Sequence, residues 1–224
     1  MDSYQNLALL QNLYRLRILG YHYIDPITPN AVSGSHKASE GLPSSLSMLE
    51  QSIRDCYLCD LSKSRRQSMS GYGNPHAKIV FVDAYVSAAE DESNGYYVGR
   101  SGNMLKDMIE KVLNLSVHDV YLTHAVKCKP FGFQTPSPSE CSSCAPFLSR
   151  QLDVISPSVI VPLGPDALRL VLGEANDFER LRGEVVPFGR SVVIATYNPV
   201  FLLRNPSLKK DAMRDLLTIK AQLS

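Results

Sequence analysis

KIVFVDA, residues 78–84, is a short apolar run that predicts a strand buried on both faces. Beyond it, apolar segments alternate with amphipathic ones. Further strands are predicted at 119–126 and 158–164, and helices at 101–115, 137–155 and 165–173. This alternation indicates an α/β fold with a mostly parallel sheet and helices on both faces.

The end of the chain continues the pattern. RGEVVPFGRSVVIATYNP (182–199) predicts a hairpin that turns at 188–190 and then a core strand, and LKKDAMRDLLTIKAQL (208–223) predicts a closing amphipathic helix. Binding sites of such sheets collect at the carboxyl ends of the strands. A site is therefore expected in the loops after Val82, Leu122 and Ala195.

Residues before this domain have a different composition. Apolar residues spaced three apart predict an amphipathic helix over 1–24, and DPITPNAVSGSHKASEGLPSSL (25–46) predicts a flexible linker. The main domain is expected at 47–224, opening with a short helix at 47–54. The helix at 1–24 either binds a protein partner or packs on the domain, and both alternatives stay open.

Composition narrows the class of protein. Hydrophobic residues make up 44% of the chain, which suits a folded domain. No apolar run approaches the roughly 20 residues that span a bilayer. Acidic Asp2 and the lack of a small-residue cleavage site predict no signal peptide, so a cytoplasmic location is expected. The net charge of +1 argues against histone-like coating of DNA.

Five cysteines form the most informative motif: Cys56, Cys59, Cys128, Cys141 and Cys144. Two C-x2-C pairs in a reducing compartment favour metal binding over structural disulfides. Four thiolates from two distant segments suit either tetrahedral zinc or an iron–sulfur cluster. The alternative is a set of buried free cysteines. If four of the five cysteines bind the metal or cluster, either Cys141 or Cys144 is not a ligand.

A series of motifs resembles the family-4 uracil-DNA glycosylases, in order, over about 51–224. These motifs are CYLCDL (56–61), GYG (71–73), KIVFVDA, EDESNGYYVGRSG (90–102), YLTHAVKCKP (121–130), PSPSECSSCAPFL (136–148), ISPSVIVPLG (155–164), LRGE (181–184) and TYNPVFLLRNP (196–206). The resemblance implies an αβα sandwich that holds a [4Fe-4S] cluster. It carries the cluster ligands over as Cys56, Cys59, Cys128 and Cys144, with Cys141 spare.

The resemblance also implies an activity: excision of uracil from DNA in base excision repair. A flipped-out deoxyuridine enters a pocket and water hydrolyses its N-glycosidic bond. The expected partner is uracil-containing DNA, single- or double-stranded, and the chain is expected to act as a monomer. The cluster is expected to be structural, tying 56–59 to 128–144.

The sequence departs from the family at its catalytic positions. Where the family has G-E-A-P-G, this chain has Asp83-Ala84-Tyr85-Val86-Ser87, so Ala84 occupies the glutamate position. Asp83 is a candidate catalytic carboxylate. However, successive strand residues face opposite sides, which favours a plain strand-end polar residue at this position.

The residues that read the base are altered too. His124 stands at the family's uracil-reading asparagine, and Asn198 stands at the histidine of its last motif, which makes Asn198 a candidate for both catalysis and base binding. Tyr97 replaces the stacking phenylalanine, with interior packing as the alternative. Candidate DNA contacts are Arg100 and Ser101, which open a helix, and Arg182 and Arg204. Further basic candidates are Arg65, Arg66, Lys127, Lys129, Lys209 and Lys210.

Three functions follow from these patterns. The first is a uracil-DNA glycosylase-like protein that excises a base. The second is a catalytically inactive relative that keeps the fold and the cluster and binds DNA or a protein. The third is a nucleotide-binding protein with a zinc ribbon.

Overall fold

The computed structural model describes residues 41–132, 134–173 and 176–223. The helix predicted over 1–24 and most of the linker predicted over 25–46 lie outside these residues. The first described helix, α1, spans Leu46–Arg54. It begins one residue before the predicted start and buries Leu49 and Ile53 completely.

A six-stranded sheet forms the centre of the described part of the chain. Its strands are β1 (Tyr72–Gly73), β2 (Ile79–Tyr85), β3 (Tyr121–Val126), β4 (Val159–Pro162), β5 (Val186–Phe188) and β6 (Ser191–Val193), in the order β1-β3-β2-β4-β6-β5. The four inner strands run parallel, and the edge strands β1 and β5 run antiparallel to their neighbours. The predicted mostly parallel α/β fold is confirmed.

Helices cover the sheet and connect its strands. They are α2 (Ala88–Ser93), α3 (Gly99–Asp107), α4 (Pro138–Ile155), α5 (Pro165–Leu172), α6 (Phe178–Leu181), α7 (Pro199–Arg204) and α8 (Lys209–Ala221). Short 3-10 helices span Asp60–Lys63 and Pro206–Leu208. No helix in the described ranges is long and apolar enough to cross a bilayer.

The structure changes several predicted boundaries. The helix predicted at 101–115 begins at Gly99, turns into a π-helix over Met108–Leu113, and ends at Asn114 in the left-handed conformation. Helices α2, α6 and α7 were not predicted. Each has at most six residues, which is too short for a helical repeat of apolar residues to show.

The buried apolar residues form two clusters. The larger one surrounds the sheet and includes β2, whose residues Ile79 to Val82 are at most 1% exposed. The smaller cluster joins α1 to α4 through Leu49, Ile53 and Phe147, and it contains Cys128 and Cys144. The cysteine-rich segments thus lie in a core of their own.

Candidate active site and cysteine centre

The candidate catalytic residues meet at the carboxyl ends of β2 and β3. Asp83 pairs with His124 in the parallel register, so their side chains emerge on the same face of the sheet. Asn198 caps the N-terminus of α7. Asp83, His124, Asn198 and Tyr97 all line one cavity of about 50 Å³. This is the edge of the sheet where the strand order predicts a site.

Asp83 is held in this cavity by two hydrogen bonds. Its Oδ1 accepts from Asn198 Nδ2 at 2.9 Å and from the backbone N–H of Ala84 at 2.7 Å. Burial raises the pKa of Asp83 to about 6, although His124 and these hydrogen bonds oppose the rise. A carboxyl group with a pKa near neutrality is suited to accept a proton or orient water. Ala84 lines only a wider cleft beside the cavity.

Glu90 also lines the cavity, although its position in the sequence predicts no role there. A capping box at the start of α2 holds it: Ser87 N and Oγ donate to Glu90 Oε2 at 2.9 and 2.7 Å. Its other oxygen, Oε1, lies 3.3 Å from His124 Nε2. Burial raises the pKa of Glu90, but the His124 imidazole and the Ser87 contacts outweigh it and hold the pKa below its usual value. In the sequence, the Ser-x-x-Glu spacing of Ser87 and Glu90 was the signal that could have predicted this capping box.

His124 is fully buried at the end of the cavity. Its Nε2 lacks hydrogen-bond alignment with Glu90, so neither ring nitrogen has a hydrogen-bond partner among the described residues. The ring of Tyr96 packs beside it, with centroids 5.8 Å apart. Buried polar atoms of native proteins are nearly always paired, so unpaired ones mark a place where a ligand can bind.

Tyr97 forms one wall of the cavity in an unusual backbone conformation. Its φ is +58°, a left-handed value that residues with a side chain rarely adopt. The ring is 7% exposed, and the hydroxyl has no partner within the described residues. Gly102 in the first turn of α3 allows this conformation, because a Cβ at Gly102 would overlap the backbone carbonyl of Tyr97.

We therefore expect Gly102→Ala to displace Tyr97 and lower the free energy of unfolding by about 2 kcal/mol, the usual cost of overpacking. Urea unfolding measures the loss, and near-UV circular dichroism measures the change around the tyrosine rings. Gly95→Ala is the control, because the atom nearest to its Cβ would be the side-chain atom Val98 Cγ2 at 3.3 Å, a tight contact that a small shift of this side chain relieves. Equal stability of the two variants would contradict the prediction.

A wider cleft of about 450 Å³ adjoins the cavity. Asp83 and Asn198 lie on its floor, and exposed Arg204 lies at its rim. Val200 and Phe201 of α7 are 43% and 45% exposed there. The candidate DNA contacts Arg100 and Ser101 lie in the first turn of α3, and Ser101 also lines the small cavity.

Arg182 is engaged within the protein. Its Nη1 donates to Asp215 Oδ1 at 2.6 Å, and its guanidinium lies 4.6 Å from the centroid of the Tyr197 ring. A phosphate would compete with Asp215 for this charge. The expected contact between Arg182 and DNA stays a prediction.

Four cysteines line a common pocket: Cys56, Cys59, Cys128 and Cys144. Cys56 and Cys59 flank the turn after α1, Cys128 follows β3, and Cys144 lies inside α4. Cys141, one turn before Cys144, lines a different pocket with Tyr85. No group of three His, Cys, Asp or Glu side chains within the described ranges is arranged to hold a single metal ion.

The surroundings of these cysteines fit a thiolate-bound group. Arg65 Nη1 donates to Cys128 Sγ at 2.9 Å, and the backbone N–H of Lys127 donates to Cys144 Sγ at 3.3 Å. Burial raises the pKa of Cys144 to about 11, so the thiolate depends on such partners. N–H groups at the sulfurs stabilise negative charge on ligated thiolates.

Two basic residues expected on the DNA-binding surface have other roles. Lys127 is 1% exposed, so the expected phosphate contact is wrong. Arg65 also donates to the carbonyl of Cys56 at 2.5 Å, which fixes its guanidinium beside the cysteine centre. A sequence pattern does not report burial, so basic residues next to cysteines cannot be told from basic residues on the surface by sequence alone.

The sequence of this chain is similar to a known family and to several known proteins. The family model described as the uracil DNA glycosylase superfamily matches residues 70–220. A type-4 uracil-DNA glycosylase of Archaeoglobus fulgidus is 35% identical over 183 residues, which cover 78% of this chain and 92% of the relative. Enzymes of the same name from Thermotoga maritima and Sulfurisphaera tokodaii are 32% and 30% identical, over 79% of this chain each and 93% and 84% of the relatives.

Proposed function

The chain belongs to the uracil-DNA glycosylase superfamily, and from that premise we propose that it excises uracil from DNA by hydrolysing the bond between the base and deoxyribose C1′. One observation carries the proposal: Asp83 Oδ1 and Asn198 Nδ2 are hydrogen-bonded at 2.9 Å inside the cavity that His124 closes. Asp83 thus supplies a carboxylate to the site, although Ala84 occupies the position of the family's catalytic glutamate.

Asp83 and Asn198 divide the chemistry between them. The ionised Asp83 carboxylate orients the attacking water and stabilises positive charge on the sugar. The uracil anion needs a donor at O2, where negative charge develops in the transition state. Asn198 Nδ2 has two N–H groups. One donates to Asp83, and the other can donate to uracil O2, because its hydrogen bond to the carbonyl of Leu163 is long, at 3.4 Å.

His124 and Tyr97 hold the base. The Tyr97 ring stacks on the flipped uracil, and the imidazole nitrogens of His124 pair with its polar edge. Glu90 Oε1 lies 3.3 Å from His124 Nε2 without a hydrogen bond to it, so both ring nitrogens are available to the base. The support for these roles is that both side chains are buried in one cavity and carry unpaired polar atoms.

The wider cleft receives the DNA strand. Arg204 at its rim and Arg100 at the start of α3 contact phosphates, and the N–H groups of this helix terminus at Ser101 favour an anion. Phe201 offers an exposed ring for stacking on a neighbouring base. The substrate is uracil-containing DNA, single- or double-stranded, and the protein acts as a cytoplasmic monomer.

We further infer that Cys56, Cys59, Cys128 and Cys144 hold a [4Fe-4S] cluster. The support is their common pocket, the N–H groups at two of the sulfurs, and the carry-over from the family motifs. Four iron–thiolate bonds would tie the segment at 56–59 to the one at 128–144. The cluster thus serves folding and takes no part in hydrolysis.

One observation favours the alternative, a DNA-binding relative without catalysis. Ala84 is a 7% exposed apolar residue at the family's catalytic position. The alternative differs from the proposal in a single measurable respect, because it predicts DNA binding without release of a base.

The test is a single-turnover assay on anaerobically purified, cluster-loaded protein with oligonucleotides that contain uracil, hypoxanthine or xanthine. We expect release of uracil, with a rate that rises with pH, is half-maximal at about pH 6 and levels off about one unit higher, because only the ionised Asp83 is active and its pKa is about 6. A mobility-shift assay on the same samples measures binding. Binding without release of any base would overturn the proposal and support the alternative.

A further inference from the structure

Lys127 is a buried lysine whose side chain has no role so far in the cysteine centre or in the hydrolysis. Its side chain is 1% exposed, and its Nζ donates to three acceptors: Thr123 Oγ1 at 2.8 Å, the carbonyl of His124 at 2.5 Å, and Gln151 Oε1. An ammonium group has three donors, so each one has a partner here. A buried charge is tolerated when it is hydrogen-bonded in this way.

These hydrogen bonds continue through the core. Gln151 Nε2 donates to the carbonyl of Ser70 and, at 3.4 Å, to the hydroxyl of Tyr121. The Tyr121 hydroxyl in turn donates to Glu50 Oε1 at 3.2 Å. A fully satisfied buried network has few alternative arrangements, so it fixes the position of Nζ.

Lys127 therefore contacts both the cysteine centre and the cavity that binds the base. Its backbone N–H donates to Cys144 Sγ at 3.3 Å, while its side chain holds the carbonyl of His124, the residue that closes the base cavity. The backbone at His124 sets where the imidazole lies relative to Glu90 and Asp83. Misplacement of a catalytic group by about 1 Å costs up to 100-fold in rate.

We propose that Lys127 is a positioning residue, which holds the end of β3 so that the imidazole of His124 faces the base. This inference rests on the proposed base excision, and it assigns Lys127 no contact with substrate. Removing the ammonium group leaves Thr123 and Gln151 bonded to each other at 3.0 Å. The carbonyl of His124 loses its donor.

The test compares Lys127→Met with Gln151→Leu in cluster-loaded protein at low temperature. We expect Lys127→Met to lower kcat for uracil release about 10- to 100-fold, with iron content and the Kd for DNA unchanged. Gln151→Leu removes the centre of the network but keeps the bond to His124, so it should lose stability and lower kcat by a smaller factor than Lys127→Met does. Thr123→Val removes one of three acceptors of Lys127 and should lower kcat by a smaller factor. Exposed Lys111 gives the control variant Lys111→Met.

A second readout does not need activity. Hydrogen exchange of the peptide 121–128 is followed by mass spectrometry, with each variant measured the same number of degrees below its own Tm. Exchange should be faster in Lys127→Met than in Gln151→Leu. Unchanged exchange and kcat within twofold of wild type would overturn the inference, and so would a kcat that falls only in step with iron content or DNA affinity. Failure of the proposed function is distinct, because it shows as no release of base by the wild-type protein.

Discussion

Asp83→Asn is expected to abolish uracil release and, at the same time, to make the folded protein more stable at neutral pH. The substitution keeps an oxygen that accepts from Asn198 Nδ2, so the geometry of the cavity is retained. It removes the negative charge that orients water and stabilises the sugar cation. Loss of such a group costs about 100-fold or more in single-turnover rate, which a quenched-flow or gel assay measures.

The expected gain in stability of Asp83→Asn follows from the raised pKa of Asp83. Burial shifts the pKa of Asp83 from 3.8 to about 6 in the folded protein. Between these two values the folded state holds a proton that the unfolded state has lost, so stability falls as the pH rises through this range. The loss is complete about one unit above this folded-state pKa. The gain from Asp83→Asn should therefore be largest above pH 6 and vanish below about pH 4, as urea unfolding at several pH values would show.

The matched control is Asp166→Asn. Asp166 lines the same cleft, but it is paired with Arg169 and its side chain is 39% exposed. This variant should release uracil at nearly the wild-type rate and show no stability gain. If Asp83→Asn retains activity, Asp83 is a strand-end polar residue, as the alternation of strand side chains favours. If it loses both activity and stability, its role is structural.

The sequence predicts the sheet well because its signal is local. Apolar runs such as KIVFVDA and SVIVPLG are buried on both faces, and only parallel inner strands are covered in that way. The family resemblance, carried by motifs spread over the whole domain, is confirmed by the comparisons. Short helices such as α6 and α7 have too few residues for a period, so their existence depended on tertiary packing.

The candidate site was predicted only in part, since side-chain partners lie far apart in sequence. Asp83 and Asn198 are bonded across 115 positions, which no spacing reveals. Glu90 lies in the motif EDESNGYYVGRSG, but its sequence context indicates no role, because its neighbour His124 comes from a strand more than thirty residues away. The phosphate contact predicted for Lys127 is wrong, because the three acceptors around its ammonium group make burial possible.

Cys144→Ser is expected to have the largest effect on folding. Cys144 is 7% exposed in the small core that joins α1 to α4, and it shares a pocket with Cys56, Cys59 and Cys128. Without one thiolate, the proposed cluster would be lost, and the segments at 56–59 and 128–144 would lose their common anchor. We expect iron content near zero and a Tm lower by about 10 °C, which corresponds to a few kcal/mol in a domain of this size.

Cys141→Ser tests whether the effect is specific to the proposed ligand. Both cysteines lie on α4 three residues apart, and the substitution is the same, but Cys141 lines another pocket. This variant should keep its iron, its visible absorbance and its Tm. Loss of iron in both variants would show that the ligand set is wrong, whereas loss of iron from Cys144→Ser without a change in Tm would show that the cluster does not anchor the fold. Uracil release by such an iron-free, folded variant would place hydrolysis entirely on the protein side chains.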